Sequence, residues 1–272
     1  MKTIFFLSVI FFTNWGCVTT NIENDLLKRN IKGKVKSITY NTYYAVEKFG
    51  EIERGELTPN DIFFKQSLIE KFNLAGNISE VLNSWDVKRK VYTYDNKNQL
   101  IEEKYVGGNI YGTQIFKFKY DKNGKEIECI QYDISNKVVS KTINIYDEIL
   151  NKIESNQYDS NGNLMNKIKC KYFEGNLVEE NCYNSIGELS YKDIFSYDNN
   201  GFKIEEVRYD GKMKIISKSV FQNNLLISFM FHSKGTNTFK YKFDSNGNWF
   251  EQISFDENNK PMNIDVRKIE YY

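Results

Sequence analysis

The stretch YDSNGNLMN, from Tyr158 to Asn166, decides the fold of this chain. It has close copies in YDKNGKEIE at Tyr120–Glu128 and in YDNNGFKIE at Tyr197–Glu205. In each copy the Asp can accept hydrogen bonds from nearby backbone amides in an Asx turn, and the Gly adopts a positive φ at no steric cost. An aromatic strand end, an Asx turn and a left-handed glycine together predict a tight hairpin connection. We expect a type I turn closed by a G1 bulge.

Aromatic residues recur through most of the chain in two interleaved series. Members of the first series lie 22 to 26 residues apart, and they are Tyr94, Tyr120, Tyr146, Tyr172, Tyr197, Phe221 and Phe243. Each member of the second series follows its partner by 10 to 12 residues, and these members are Tyr105, Tyr132, Tyr158, Tyr183, Tyr209, Phe231 and Phe255. The clear repeats therefore cover residues 94–272, and a degenerate copy over residues 72–93 begins at Phe72 with Gly76 as its turn residue.

Most repeats carry Gly or Asn four places after the aromatic residue, where these residue types tolerate a positive φ. The predicted turn residues are Asn98, Gly124, Asn136, Gly162, Gly187, Gly201, Gly247 and Asn259. Apolar residues resume two or three places later, which leaves room for a strand of about eight residues. The connections are far too short for a crossover helix, so neighbouring strands must be antiparallel. Phe239, Tyr241 and Phe243 alternate with lysines, a pattern that predicts one packed face and one wet face.

These units predict an all-β fold, a long antiparallel meander of about 16 strands built from tandem hairpin repeats. Flat open sheets of that size are unusual because strand twist accumulates, so we expect a single sheet curled into a barrel-like or spiral wall. The aromatic face should line its inside. We also expect a strand over residues 31–46 and a charged loop over residues 48–61, within one β-repeat domain at residues 31–272.

Residues 1–16 are typical of a bacterial export signal. Ile4–Phe12 is an almost unbroken apolar run, too short to span a hydrocarbon core of about 30 Å as a helix. The run ends before Cys17 in a pattern that resembles a lipoprotein signal, with simple secretion and an incidental Cys17 as the alternative. If Cys17 is lipidated, residues 17–30 form a lipid-anchored tether with room for one helical turn. The protein is then exported and held by its N-terminal lipid at the bacterial outer membrane or cell surface.

The composition excludes several classes of function. The 37 basic and 36 acidic side chains give a net charge of +1, which removes the electrostatic case for nucleic acid as a partner. A single histidine in 272 residues removes most zinc sites and most nucleophile schemes that need a His base. Cys129, Cys170 and Cys182 are odd in number, so at least one thiol is free or pairs between chains, and the disulfide state stays open.

Three chemically suggestive groups have simpler structural explanations. Asp159 and Asp244 begin turns that resemble Ca²⁺ loops, but the bidentate Glu that an EF-hand needs at its twelfth position is absent. Adjacent glutamates such as Glu102 and Glu103 point to opposite faces of a strand, so they cannot act on one substrate. His232 has no recognisable partner. We therefore predict no catalytic, metal-binding or cofactor-binding residues, no cofactor and no enzyme activity.

The repeated Tyr-Asp-x-x-Gly turn at Tyr120, Tyr158 and Tyr197 resembles that of the YD-repeat (Rhs-type) proteins. The resemblance covers about residues 72–272, and it is closer to small bacterial lipoproteins with degenerate copies than to the large toxin shells. It implies a β-rich spiral or curled sheet. It supplies no catalytic residues, because the motif carries none in that family.

The leading hypothesis is a non-catalytic, lipid-anchored β-repeat protein of the bacterial envelope that acts as a binding or interaction module, with a protein or saccharide partner. The first alternative is a carrier that holds an apolar ligand inside the curled sheet, which requires a contiguous apolar cavity. The second alternative is an envelope hydrolase, which requires two inward carboxylates facing each other across a cleft.

Overall fold

The computed structural model describes residues 24–58, 68–83, 87–106, 113–232 and 235–272. Over these ranges the chain forms one short helix, α1 (Asp25–Lys28), and nineteen strands. The strands are β1 (Val35–Lys48), β2 (Glu51–Leu57), β3 (Leu68–Phe72), β4 (Ile78–Asn83), β5 (Lys88–Tyr94), β6 (Leu100–Tyr105), β7 (Gln114–Tyr120), β8 (Glu126–Tyr132), β9 (Val138–Tyr146), β10 (Lys152–Asp159), β11 (Leu164–Phe173), β12 (Asn176–Asn184), β13 (Leu189–Tyr197), β14 (Lys203–Asp210), β15 (Ile215–Gln222), β16 (Leu225–Phe231), β17 (Thr236–Phe243), β18 (Trp249–Phe255) and β19 (Pro261–Tyr271).

The strands form one antiparallel meander that closes on itself. From β3 to β19 each strand pairs with the next, and β1 pairs with β19 along one edge and with β3 along the other. The result is a closed barrel of 18 strands, so the all-β, barrel-like prediction is confirmed. Strand β2 lies outside this ring and pairs with the far end of β1, between Tyr43 and Lys48.

Residues 24–58 contain more strand than the sequence predicts. The loop expected over residues 48–61 is wrong where β2 lies, because Phe49 and Gly50, with φ of 53° and 82°, reverse the chain within two residues. Residues on both sides of that reversal then pair in register, as in Glu47↔Ile52 and Lys48↔Glu51, and Lys48 forms an ion pair with Glu53. Strand β1 also begins at Val35, later than the predicted residue 31.

One face of the sheet is buried and therefore faces the inside of the barrel. Residues paired in register lie on the same face, which places Phe118, Cys129 and Thr142 together on β7, β8 and β9. Cys129 and Thr142 are only 4% and 5% exposed. The next pair on β7 and β8, Lys119↔Glu128, points the other way, and the Lys119 side chain is 67% exposed.

The aromatic residues do not all line the inside, as the sequence suggested. The first series lies on the inner face, because Tyr120, for example, is two residues beyond the inward Phe118. Most of the second series lies on the outer face, and Tyr132 directly follows the inward Gln131. The reason is a register shift between Lys119 and Tyr120, which adds one residue to β8 and inverts the alternation along that strand.

Helix α1 packs against the end of the barrel where the first-series turns lie. Its Leu26 is 5% exposed and belongs to the main apolar cluster with Ile31, Val35, Ile38, Phe72, Ile78 and Val81. The N-cap Asn24 donates to the Ala75 carbonyl at 2.8 Å, and the Asp25 carboxylate accepts from the Ile78 amide at 2.8 Å. The single helical turn expected in the tether is therefore present, and it is bound to the barrel.

Candidate functional site

The predicted turn residues all have a positive φ, and they hold the hairpins rather than a ligand. Their φ values lie between 58° and 85° for Asn98, Gly124, Asn136, Gly162, Gly187, Gly201, Gly247 and Asn259. In one turn the Asp121 carboxylate accepts from the Asn123 and Lys125 amides at 2.9 and 2.8 Å, and the Gly124 amide donates to the Asp121 carbonyl at 3.1 Å. This is the geometry of a type I turn followed by a left-handed residue.

Two turn residues escaped the prediction because they are neither Gly nor Asn. Leu150 and Met213 have φ of 69° and 64° at the same place in their turns. Their amides donate to the carbonyls of Asp147 and Asp210 at 3.1 and 2.9 Å. The signal that could have found them is spacing alone, since each lies four residues after Tyr146 or Tyr209.

The other residues weighed in the sequence have structural roles or lie elsewhere. The Asp159 carboxylate accepts from the Asn161 and Asn163 amides at 2.8 Å each, so it closes a turn. Among the described residues, no group of three or more His, Cys, Asp or Glu could hold a metal ion. The ring of His232 contacts Phe231 with the ring centroids 4.1 Å apart at the opposite end of the barrel from α1. Cys17 and the export signal lie outside the described residues.

Tyrosines of the first series tie each hairpin to the one before it. The hydroxyl groups of Tyr120, Tyr146 and Tyr197 donate to the carbonyls of residues 100, 126 and 177 at 2.7, 2.8 and 2.8 Å. Burial raises the pKa of all three phenols. These tyrosines therefore act as neutral donors that brace the inner wall.

The inner face also carries buried charges, and most of them form ion pairs. Four pairs lie on this face: Arg29–Glu70 at 2.6 Å, Lys90–Glu103 at 3.2 Å, Arg208–Asp193 at 2.6 Å and Lys203–Glu206 at 2.7 Å. Asp193 is 2% exposed and accepts from two nitrogens of Arg208. Pairing of this kind is what a buried charge requires, because an isolated one is costly. The glutamates 102 and 103 separate as expected, since Glu102 pairs outward with Lys117.

Arg267 differs from these paired cations. Its guanidinium lies 3.4 Å from the ring centroid of Trp249 and 5.3 Å from that of Tyr40. It forms no ion pair with a carboxylate of the described ranges, and its buried Nε has no hydrogen-bond partner there. Burial lowers the pKa of Arg267, and the nearby Glu70 carboxylate opposes this shift more than the Arg29 guanidinium adds to it. The charged form of Arg267 is therefore incompletely compensated by the residues that the structure describes.

Polar and aromatic side chains surround Arg267 on the same inner face. The Tyr241 ring lies 5.8 Å from that of Trp249 in an edge-on arrangement, and the Tyr241 hydroxyl accepts from Gln252 Nε2 at 2.6 Å. The Asp265 carboxylate accepts from the Thr42 hydroxyl at 2.5 Å, and burial raises the pKa of Asp265. The register places these groups in adjacent rows of β17, β18, β19 and β1. We call Tyr40, Tyr241, Trp249, Gln252, Asp265 and Arg267 the Arg267 patch.

The Arg267 patch can recognise a ligand but contains no obvious reacting group. It offers a guanidinium with unused donors, an amide, a carboxylate and aromatic rings, which suit charge-assisted hydrogen bonds and stacking. None of its members is a nucleophile activated by a neighbouring base. The patch is not recognisable in the sequence, because its residues come from four strands, from Tyr40 to Arg267, and only the strand register brings them together.

The outer face carries ladders of Lys and Glu across neighbouring strands. Glu128 lies between Lys119 and Lys141 at 2.6 and 2.5 Å. Glu179 lies between Lys171 and Lys192 at 2.7 and 2.9 Å. Further pairs around the ring are Lys71–Glu80, Lys88–Glu80, Lys117–Glu102, Lys167–Glu154, Lys218–Glu205 and Lys242–Glu251.

The three cysteines in the described ranges lie on the inner face. Cys129 and Cys182 are free thiols, and Cys170, at 7% exposed, lies one strand from Cys182 on the same face. Burial raises the pKa of Cys129 to about 12, so that thiol is unreactive at neutral pH.

Comparisons with known proteins find no matching family and only a partial sequence similarity. No family model matches the chain. A CRISPR-associated endonuclease Cas1 of Fusobacterium nucleatum is 30% identical over 103 residues, which cover 36% of this chain and 30% of that protein. The chain therefore spans less than a third of the curated relative that it matches.

Three solved structures are similar to this chain over most of its length. A porin-like protein of Bacteroides uniformis has a TM-score of 0.46 at 10% identity, covering 87% of this chain and 98% of that one. A porin-like protein of Bacteroides vulgatus has a TM-score of 0.38 at 10% identity, covering 89% and 99%. The TcdB2-TccC3-Cdc42 structure has a TM-score of 0.34 at 12% identity, covering 85% and 14%. In the described part of this chain, α1 has only four residues, and no helix is long and apolar enough to cross a membrane.

Proposed function

We propose that this protein is a non-catalytic binding module of the bacterial envelope, anchored by a lipid on Cys17, with its ligand site on the inner face of the barrel. The observation that carries the binding role is the Arg267 patch. There a guanidinium without a carboxylate partner in the described chain is stacked on Trp249 and ringed by hydrogen-bonding groups. Such a set of donors and rings needs an external ligand to complete its hydrogen bonds.

The Lys–Glu ladders on the outer face favour a barrel whose outer surface is hydrated and which is attached to a membrane through its N-terminus. Ion-paired lysines and glutamates occur on outward positions of most strands around the ring. Charged side chains facing lipid are costly, whereas the same side chains on a hydrated surface cost little. Membrane attachment therefore comes from the lipid on Cys17, since the barrel wall is suited to water.

The apolar-carrier alternative has one observation in its favour. Phe229 and Phe239 lie on the inner face of β16 and β17, next to the Arg267 patch. A large part of the inner face opposes it, because Ser140, Thr142 and Asn144 of β9 are buried there together with the ion pairs. Burial of an apolar ligand against such groups would remove their hydration without replacing it.

The hydrolase alternative is weakened by the surroundings of the inward carboxylates. Glu180 and Asp193 are directly paired on β12 and β13, so they are neighbours in one wall and do not face each other across a cleft. The Asp193 carboxylate also accepts from Nε and from one terminal nitrogen of Arg208. A carboxylate fixed in this way is a poor general acid or nucleophile.

We further propose that the chain is a short, degenerate member of the YD-repeat (Rhs-type) group. The support is the shared geometry of its turns, in which an Asp carboxylate accepts from amides two and four residues later, as at Asp121, Asp198 and Asp244.

The anchor is tested by mass spectrometry of the mature N-terminus from the native membrane. We expect cleavage before Cys17 and acyl chains on that residue, and a Cys17→Ser variant that is released from membranes. An unmodified Cys17, or cleavage at another position, would refute the anchor.

The binding role is tested by gentle extraction of the native protein and identification of what co-purifies. We expect a polar partner that is depleted in an Arg267→Gln variant and retained in Lys268→Gln, a change on the neighbouring outward residue. Retention of a lipid in place of a polar partner would support the carrier, and an empty preparation would weaken both readings.

A further inference from the structure

We infer that the Arg267 patch binds a sugar that bears a carboxylate group. This inference rests on the proposed binding function and names the ligand class of that same site. It starts from a contrast on the inner face, where Arg29 and Arg208 each contact a carboxylate at 2.6 Å and Arg267 contacts none in the described chain.

The charge and shape of Arg267 favour a carboxylate as its partner. A guanidinium presents donors in a planar fork that matches the two oxygens of a carboxylate. The stacking of Trp249 at 3.4 Å covers one face of that fork and fixes its plane, while leaving the N–H groups at its edge free to donate. Pairing with an anion also offsets the cost of burying the charge of Arg267, since burial is the main cause that lowers its pKa.

The remaining members of the patch favour a sugar over a small inorganic anion. Asp265 lies two residues from Arg267 on the same face of β19, about 7 Å along the strand. Its carboxylate would repel a second negative charge but can accept hydrogen bonds from hydroxyl groups. A ligand that is anionic at one end and rich in hydroxyls at the other satisfies both residues.

Aromatic and amide groups complete this match. The ring of Tyr241 offers apolar surface for the C–H face of a sugar ring, next to Trp249. Gln252 already donates to Tyr241 through Nε2, and its carbonyl oxygen remains an acceptor for a hydroxyl. Free phosphate or acetate would use Arg267 but none of these surfaces.

Calorimetry with two matched ligands tests the inference on the mature protein. The probes are tetragalacturonate and its fully methyl-esterified form, which differ only in the charge of their carboxyl groups. We expect tetragalacturonate to bind and the ester to bind at least about tenfold more weakly, because the ester cannot form charge-assisted hydrogen bonds. Equal affinities for the two ligands, or no binding of either, would overturn the inference.

Variants then assign the binding to the patch. Arg267→Gln should weaken tetragalacturonate binding about tenfold to a hundredfold. Arg267→Lys keeps the charge but loses the planar fork of donors, so its affinity should lie between those of the wild type and Arg267→Gln. Lys268→Gln, on the exposed outer side of the same strand, should bind as the wild type does. Circular dichroism of each variant checks that the barrel has formed, and unchanged affinity in folded Arg267→Gln would overturn the inference.

The two proposals fail separately in these experiments. If the native protein retains a polar partner that Arg267→Gln releases, and tetragalacturonate does not bind, the binding function stands and the acidic sugar is wrong. If nothing is retained and tetragalacturonate still binds through Arg267, the acidic-sugar inference stands, and the retained-partner test has failed.

Discussion

The residue at positive φ in each turn determines how much conformational free energy that turn requires. Glycine adopts positive φ freely, whereas a residue with Cβ pays about 1–2 kcal/mol there. Met213 is destabilised in this way at φ 64°, and its side chain is half exposed, so burial of that side chain contributes little stability to offset the strain. The repeat therefore tolerates turn residues other than Gly and Asn. For this reason the spacing from the preceding tyrosine, and not the residue type, is the signal that could have located the turns at Leu150 and Met213.

Replacing Met213 by Gly should raise the free energy of unfolding by about 0.5–1 kcal/mol, since relief of strain exceeds the added entropy of the unfolded chain. The matched opposite change is Gly162→Ala, where an added Cβ meets no atom within 4 Å, so that only φ matters. It should cost about 1–2 kcal/mol. Urea denaturation measures both, and a destabilised Met213→Gly would contradict the strain argument.

The hydroxyl group of Tyr146 illustrates a second contribution at this scale. Tyr146→Phe removes the 2.8 Å bond to the carbonyl of Glu126 and keeps the ring, so we expect a loss of about 0.5–1.5 kcal/mol in the free energy of unfolding. Tyr158→Phe is the control, because the Tyr158 side chain lies on the outer face and its hydroxyl has no partner in the described chain. Equal losses in the two variants would show that the hydroxyl bonds to the wall contribute nothing.

At the scale of strands, the outer ladders join neighbours through one Glu held by two Lys. Partial burial acts to raise the pKa of Glu179, but hydrogen bonds from Lys171, Lys192 and Asn181 outweigh it and lower the pKa to about 2. A pKa below the unfolded value of about 4.5 means that the unfolded chain binds more protons between these values. The stabilisation is thus complete above pH 4.5 and is lost as the pH falls towards 2.

Glu179→Gln should therefore flatten the acid side of the stability profile. We expect its melting temperature to lie below that of the wild type at neutral pH and to converge with it near pH 2. Glu148→Gln, at an exposed turn position, should follow the wild-type profile throughout. Parallel profiles for Glu179→Gln and the wild type would show that the ladder does not respond to pH. Added salt should reduce the difference between their melting temperatures at neutral pH, because it screens exposed charges.

The strands themselves were predictable where local chemistry decides them. The turn at Asp159 and the alternation of Phe239 and Tyr241 with exposed lysines follow from residue type and spacing, and both are found, although Phe243 at the strand end is exposed. Strand β2 was not predictable in the same way, because the reversal at Phe49 uses a left-handed phenylalanine that no propensity favours. The outward direction of Tyr132 depends on a bulge, which the sequence does not mark.

At the scale of the whole molecule, the repeat predicts a curled sheet but not whether it closes. Closure depends on pairing between β1 and β19, the two ends of the meander, and this pairing is remote in sequence. The Arg267 patch depends on the same closure, since Tyr40 of β1 lies opposite Arg267 of β19. Local patterns carry no information about such long-range register, which explains why both the closed ring and the candidate site emerged only from the structure.

A disulfide across the seam tests closure directly. Thr39 and Lys268 are register partners on β1 and β19, and facing residues of an antiparallel pair are close enough for an S–S bond. Thr39→Cys combined with Lys268→Cys should form an intramolecular bond under mild oxidation, migrate faster on a non-reducing gel and gain up to about 5 kcal/mol in stability. Either single variant, and the pair Thr39→Cys with Lys218→Cys on distant β15, should form no such bond. An open spiral would leave β1 and β19 as separate edges, so the double variant would stay reduced or link two molecules.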